Sequence, residues 1–363
     1  MLKFLIASIL WVATLSLSAA NYEIEEVADG FNFPWSMAFL PDGSYLVSEK
    51  AGDLIHLSAD GKTRKIVKGM PKTLVKGQGG LADILLDQDF ENNSIVYITY
   101  ASGTGRANHL KMISAKLVAN ELVEIQELLK SMPAKTTGHH YGARMAWAAD
   151  GKLLVTVGDG GSYRDQAQFL NNHFGKILRL NKDGSVPKDN PFTETQGAMP
   201  EIYSYGHRNP QAILVDPQGQ IWSHEHGPKG GDELNLIKPG ANYGWPAITY
   251  GIDYSGAIIS PYKEAQGMEQ PVTYWVPSIA PAGMTQYFGE AFPEWQGNLF
   301  VANLAERSLR RLSLKDNKVV DQEIMLKDRS ERLRDVRTGP DGYLYVLTDS
   351  DRGKILRIKP GKS

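Results

Sequence analysis

The chain contains no cysteine. That absence removes disulfides, thiolate zinc sites, iron–sulfur ligation, a cysteine nucleophile, thioether-linked haem and lipobox acylation together. It says little about compartment, because a chain of 363 residues can bury a core that needs no covalent staples. An excess of one charge sign is lacking too. With 39 Lys and Arg against 41 Asp and Glu, no basic field exists to hold a nucleic-acid backbone, and no nucleic-acid partner is expected. After the first twenty residues no apolar run is long enough to span a bilayer, so the mature chain should have no membrane span. Hydrophobic residues at 42% and charged residues at 22% exclude disorder.

What is present starts at the N-terminus. Lys3 precedes an apolar run from Phe4 to Leu17, and Ser18-Ala19-Ala20 places small residues at the −3 and −1 positions of a cleavage point before Asn21. This pattern predicts a cleaved signal peptide over residues 1–20 and a periplasmic mature protein. Residues 21–363 read as a single domain.

One unit recurs along that domain. An apolar stretch runs into a tight turn, then an alternating strand, a loop and a further strand. It begins at Met37 (MAFLPDGSYLVSEK), Met145 (MAWAADGKLLVTVGDGG), Ala212 (AILVDPQGQIWSHEHG) and Asp335 (DVRTGPDGYLYVLTD), with degenerate copies from Ile84 and Gly283. The Asp-Gly pairs suit hairpins in which both central residues take positive φ. Alternation in Tyr343-Leu344-Tyr345-Val346-Leu347 has the period of a half-buried strand. Six units predict an all-β fold, a six-bladed β-propeller of four-stranded antiparallel blades. Tyr22 to Ala28 should join the last blade and close the ring. The Gly-, Pro- and polar-rich stretches 183–199 and 247–270 read as long loops on one face.

A propeller has no inherent activity, so function must come from side chains near the axis. Four segments stand out. In Gly138-His139-His140-Tyr141-Gly142-Ala143-Arg144, a neutral imidazole beside a cation would suit a general base, and a surface His pair is the alternative. In Tyr205-Gly206-His207-Arg208-Asn209-Pro210-Gln211, Arg208 offers a fork for carboxylates or ties loops together. His224-Glu225-His226 resembles a zinc or copper pair without a third ligand. The Gly227-Pro228 carbonyls with Glu233 suit an oxygen-seeking cation such as Ca²⁺ better. Arg332 and Arg334 alternate and project to one side, forming either an anion site or a solvated basic edge. An imidazole, several guanidinium groups and a Ca²⁺ site around one axis would fit a small polyanionic ligand.

These strings carry a resemblance. YGHRNPQ, EHGPKGGDELNLI, NYGWP and RLRDVRTGPDGYLYVLTD, in this order, resemble the soluble pyrroloquinoline quinone (PQQ)-dependent aldose sugar dehydrogenases, also grouped as glucose/sorbosone dehydrogenases. The similarity runs from about Pro34 to Pro360. It implies an enzyme that oxidises an aldose at C1 to a lactone, with PQQ and Ca²⁺ as cofactors, and that passes electrons to an external acceptor. His140 would be the general base, taking the anomeric proton as hydride moves to the quinone. Gln78 would stand near it, and Asp159 would orient the histidine or the sugar. Arg208 would stabilise charge on the reduced quinone, with Asn209 beside it on the polar edge of the cofactor. Gly227 and Pro228 would hold Ca²⁺ through their carbonyls, and Glu233 and Tyr243 would form a further Ca²⁺ site. Arg332 and Arg334 would bind cofactor carboxylates.

The chain departs from the pattern in places. Ala305 aligns where glucose-oxidising members place a lysine, and Arg307 is the expected substitute cation. His226 stands where some relatives have Gln, still on the cofactor side. Dimer-building loops are not evident, so a monomer is expected. A non-catalytic propeller that binds sugar or protein, and a Ca²⁺-dependent lactonase, are the competing readings.

Overall fold

The computed structural model describes residues 21–361, so the predicted signal peptide lies outside the described residues. Six four-stranded antiparallel sheets form the ring of a six-bladed β-propeller. Blade 1 is Pro34–Phe39, Tyr45–Glu49, Leu54–Leu57 and Arg64–Ile66; blade 2 is Leu81–Leu86, Ile95–Thr104, Ala107–Val118 and Glu121–Lys130. Blade 3 is Met145–Trp147, Leu153–Val157, Lys176–Leu180 and Ile202–Tyr205; blade 4 is Pro210–Val215, Ile221–Glu225, Asp232–Ile237 and Thr273–Trp275. Blade 5 is Pro281–Gln286, Leu299–Asn303, Ser308–Lys315 and Lys318–Met325. Blade 6 takes Leu333–Thr338, Leu344–Thr348 and Gly353–Pro360 from the C-terminus. Its outer strand is Tyr22–Phe31 from the N-terminus, paired from Tyr22 with Pro360 to Phe31 with Gly353. That pairing closes the ring, as the alternation in this segment predicts. The first strands of successive blades pack on one another around the axis.

The recurring turn is the hairpin between the first and second strands of a blade. In blade 1 Gly43 N donates to Leu40 O (2.9 Å) and Leu40 N to Ser44 O (2.8 Å). The same pair of bonds recurs at Ala148 and Gly151, Asp216 and Gly219, and Gly339 and Gly342. The backbone differs from the expected one. Only the glycine takes positive φ (81° at Gly43), whereas Asp42 does not. Asp42 instead uses its carboxylate to accept from Ser44 N at 2.9 Å, which holds a type I turn that the left-handed glycine closes.

The second strands are covered on both faces rather than one. Every residue of Leu153–Val157 and of Leu344–Thr348 is buried, Tyr345 included. In a propeller each blade is sandwiched between two neighbours, so alternating residues fill two different interfaces. Trp222 and Leu234 of blade 4, for example, pack with Leu299, Val301 and Leu312 of blade 5. Each such side chain is worth roughly 1.5–3 kcal/mol of burial.

Charge fills the axis. Arg144 reaches Asp83 (3.2 Å) and Asp335 (3.1 Å), and Arg337 reaches the same two carboxylates at 3.0 Å each. Every member is paired, as burial of ions requires. This closed set joins blades 2, 3 and 6. Arg144 also stacks 4.1 Å from the centre of the Trp35 ring and donates to Arg334 O at 3.3 Å.

The hairpin turns and the third-to-fourth connections occupy one end of the ring, so the second-to-third and blade-to-blade connections gather at the opposite end. The long loops 183–199 and 247–270 both join a third strand to a fourth, and so leave from the hairpin end. The second belongs to a connection that climbs to the opposite end: Lys229 N donates to Ile252 O at 2.9 Å, and Trp245 Nε1 to Asp159 Oδ2 at 2.8 Å.

Candidate active site

At that opposite end lies a cavity of about 460 Å³. Gln78, Asn209, His226, Arg332 and Arg334 line it, together with Lys50. Segments far apart in the sequence are thus gathered at one place, as the propeller reading requires.

His140 stands at its margin in a connection between blades 2 and 3. Its φ of +48° is left-handed, a strain for a residue with a β-carbon, and the surrounding bonds hold it there. His140 N donates to Gln78 Oε1 at 2.8 Å. Its carbonyl accepts from Gly160 N (3.3 Å) and Lys135 Nζ (3.2 Å). Lys135 is itself buried, bonds His139 O as well, and lies 3.3 Å above the Tyr141 ring centre. Burial pulls its pKa down to about 7.

The imidazole is oriented from behind. His140 Nδ1 lies 2.6 Å from Asp159 Oδ1, and Asp159 is fully buried. The carboxylate also accepts from Gly161 N (2.7 Å) and Trp245 Nε1, and its own N–H donates to Arg208 O (2.8 Å). An Nδ1–H donated to Asp159 leaves Nε2 with its lone pair, the tautomer of a base. Burial, then the charges of Arg208 and Lys135, lower the His140 pKa, while Asp159 pulls the other way. The neutral, proton-accepting form therefore holds at neutral pH. His139 is exposed, with its ring centre 6.4 Å from that of His140, so the two neighbours do not act as a pair.

Arg208 and Asn209 are both buried. Arg208 Nη1 donates to His226 O at 3.1 Å, whereas Nε is buried without a partner among the described residues. Asn209 Oδ1 accepts from Gly142 N at 3.1 Å, joining this segment to the histidine loop. His226 Nε2 bonds Pro281 O at 2.7 Å, and burial followed by Arg208 keeps its ring far below the usual pKa. Arg332 and Arg334 converge on Asp349, at 2.8 and 3.1 Å. Arg334 is half-buried on the innermost strand of blade 6 and Arg332, just before that strand, is more exposed; both line the cavity rather than an outer sheet edge. Burial opposes ionisation of Asp349, but Arg334 and Arg332 outweigh it and hold the carboxyl below its ordinary range.

Arg307 stands apart. It is exposed, donates to Ser330 O at 3.4 Å, and is not among the residues lining the cavity.

Gly227 N donates to Asp232 Oδ1 at 2.8 Å. Asp232 also accepts from Ser278 Oγ (2.7 Å), Ile279 N (2.7 Å) and Ala280 N (2.8 Å), which fixes the Gly227-Pro228 turn against the next blade. Neither the Gly227 nor the Pro228 carbonyl accepts a hydrogen bond among the described residues. Glu233 faces Glu225 across adjacent strands, with Asn235 Nδ2 3.2 Å from it. Burial and then Glu225 push the Glu233 pKa up to about 8. The Tyr243 hydroxyl is taken by Leu236 O and Lys238 N, leaving only its main-chain carbonyl for a cation. No cluster of three or more His, Asp or Glu stands in a metal-holding arrangement among the described residues; a carbonyl site would not be of that kind.

Reasoning from sequence did not single out Lys50, Lys135, Trp245 or Asp349. Trp245 and Asp349 lie inside NYGWP and RLRDVRTGPDGYLYVLTD, so their strings were visible though their roles were not. Lys50 and Lys135 carry no local signal.

Residues 31–357 match the family described as Glucose / Sorbosone dehydrogenase. The chain belongs to that family. Among glucose/sorbosone dehydrogenase relatives, the aldose sugar dehydrogenase YliI of Escherichia coli is 38% identical over 98% of both chains. A crystal structure of a glucose dehydrogenase superposes with a TM-score of 0.90 at 41% identity, covering 94% of this chain and all of the other. The PQQ-bound aldose sugar dehydrogenase of Streptomyces coelicolor superposes at 0.77 with 28% identity, over 94% and 99% of the chains.

Proposed function

We propose that this protein is a periplasmic aldose dehydrogenase that uses PQQ and Ca²⁺, acts as a monomer, and passes electrons to an external acceptor. The observation that carries this reading is the His140–Asp159 pair beside Gln78, at the margin of a cavity lined by cations. Relatives named as aldose sugar and glucose dehydrogenases support the substrate class, and the PQQ-bound relative supports the cofactor.

The residues present fit both groups. Arg208 Nε is a buried donor without a partner, and the cations of the cavity exceed its carboxylates, so a tricarboxylate is matched in charge. Arg208, Asn209, His226, Arg332 and Arg334 would hold it. The open carbonyls of Gly227 and Pro228 are hard oxygen donors suited to Ca²⁺. Glu233 and the Tyr243 carbonyl would serve a further Ca²⁺. When bound, PQQ supplies the two-electron oxidant and Ca²⁺ the positive charge that polarises it.

The protein's share is the proton. His140 Nε2 accepts the proton of the anomeric hydroxyl as C1 loses hydride, while Asp159 holds the ring and stabilises the imidazolium formed. Gln78 fixes the His140 backbone, and Arg208 would stabilise negative charge growing on the oxidant when it is bound. Export through the N-terminal segment accords with an enzyme whose acceptor lies outside the chain.

The test is to add PQQ and Ca²⁺ to apo-protein, then a panel of aldoses, while following absorbance. Binding followed by bleaching of the oxidised quinone band supports the proposal. Absence of binding, or of bleaching with every aldose, refutes it.

A further inference from the structure

Lys50 directly follows the second strand of blade 1 and lines the cavity together with the blade 6 arginines. Its backbone is pinned: Lys50 N donates to Phe33 O at 3.1 Å, and its carbonyl accepts from Leu81 N at 3.2 Å. Its side chain runs along Gly80, where a β-carbon would come within 2.7 Å of Lys50 Cγ and 2.2 Å of Lys50 O. Glycine at position 80 is what lets the lysine stem enter the cavity.

The cavity cations are unequally committed. Arg332 and Arg334 both turn donors to Asp349. The Lys50 ammonium makes no hydrogen bond or ion pair among the described residues, although it stands half-buried near Arg334 and Asp349. Burial and the charge of Arg334 lower its pKa, as expected of a cation lacking a direct counterion. Three cations around one carboxylate leave an excess of positive charge, and Lys50 carries the part that no protein group meets. Arg307 lies outside the cavity and does not share this position.

We propose that Lys50 is a third cationic anchor for the bound cofactor, contacting one of its carboxylates directly beside Arg332 and Arg334. The proposal rests on the PQQ reading above. The ammonium would gain a charge-assisted hydrogen bond in exchange for a desolvation that the apo-protein already bears.

The test is equilibrium titration of apo-protein with PQQ at saturating Ca²⁺, read by quenching of tryptophan fluorescence. Wild type, Lys50→Met and Lys50→Arg are compared at low and high salt. Lys50→Met should bind about 10-fold more weakly, in line with loss of a hydrogen bond to a charged group, and its affinity should be less sensitive to salt. Lys50→Arg, which keeps the charge, should stay within about 3-fold of wild type. Lys50→Gln replaces Lys50→Met if the latter does not fold. Unchanged PQQ affinity in the neutral variants overturns the proposal. So does an unchanged affinity with a raised KM for sugar, which would assign Lys50 to the substrate. Failure of wild type to bind PQQ is a different result: it overturns the cofactor reading itself, and this proposal with it.

Discussion

Replacing His140 by alanine removes the imidazole but leaves the main-chain bonds that hold its loop, namely Gln78 Oε1 on the N–H and Lys135 Nζ on the carbonyl. The fold and cofactor affinity should therefore change little. Turnover should not survive as well. General-base catalysis contributes about 10²- to 10⁴-fold, so the barrier should rise by roughly 2.7–5.4 kcal/mol. Asp159→Asn should cost less, about 10- to 10³-fold, through two effects. One carboxylate oxygen becomes an NH2 that cannot accept, so Trp245 Nε1 or the histidine loses its acceptor, and the influence that raises the His140 pKa disappears, making a weaker base. His139→Ala should be nearly silent, because that ring is exposed and 6.4 Å away. The assay is rapid-mixing reduction of PQQ-loaded protein by glucose, run across pH. Since the His140 pKa lies below its ordinary value of 6.5, the acid limb of kcat/KM should fall below pH 6.5, with activity present above it and lost as pH drops. The reasoning is refuted if His140→Ala turns over within a few-fold of wild type. It is equally refuted if His139→Ala is the variant that loses activity.

Three further expectations concern the rest of the molecule. Exhaustive chelation should abolish activity, and Ca²⁺ should restore it where Zn²⁺ does not, because the Gly227 and Pro228 carbonyls are hard oxygen donors; full activity in chelated protein would contradict this. His224 is fully buried, with no well-formed hydrogen bond to either ring nitrogen among the described residues. Burial followed by Arg144 pulls its pKa down to about 3, against a smaller opposing influence of nearby backbone carbonyls. The unfolded chain therefore binds a proton below pH 6.5 that the folded chain refuses, so stability is lost as pH falls; from pH 6.5 to 5 this amounts to roughly 1.5 kcal/mol. Urea titrations should show a shallower pH dependence in His224→Leu, and identical slopes in both proteins would count against the assignment. Mass spectrometry of periplasmic protein should find Asn21, or a residue within a few positions, as the N-terminus; intact Met1 on soluble protein would disprove cleavage.

The ring was legible because a propeller repeats its local rules. Four of the six blades join their first and second strands by a turn of the same type, whereas blades 2 and 5 use longer connections that each carry a short helical turn. Asp42-Gly43, Asp150-Gly151 and Asp341-Gly342 mark that turn by chemistry that acts over four residues. The closing strand Tyr22–Phe31 was legible for the same reason, as an alternating segment without a partner nearby. The burial of Leu344–Thr348 on both faces was not, since alternation records that two faces differ and cannot say that a neighbouring blade covers the second.

At the site the division is sharper. The motif strings pointed to His140, Arg208, Asn209, Arg332 and Arg334 as candidates, because special backbone turns and clustered polar groups leave a dense local signature. The side chains that hold those groups in place left little: Trp245 sits inside a motif string that does not reveal its contact, and the two lysines sit in none of the site motifs. Lys135 reaches the His140 carbonyl from five positions upstream, Trp245 approaches Asp159 from a connection in another blade, and Lys50 faces Arg334 across the join between the first and last blades. A lysine on a surface loop and a lysine buried against a carbonyl are spelled alike. Fold class and candidate chemistry follow from short-range patterns, which a chain carries wherever it lies. The tautomer of His140, the depressed pKa values of the buried lysines and the exclusion of Arg307 depend on distances and burial, and these exist only once the ring has closed.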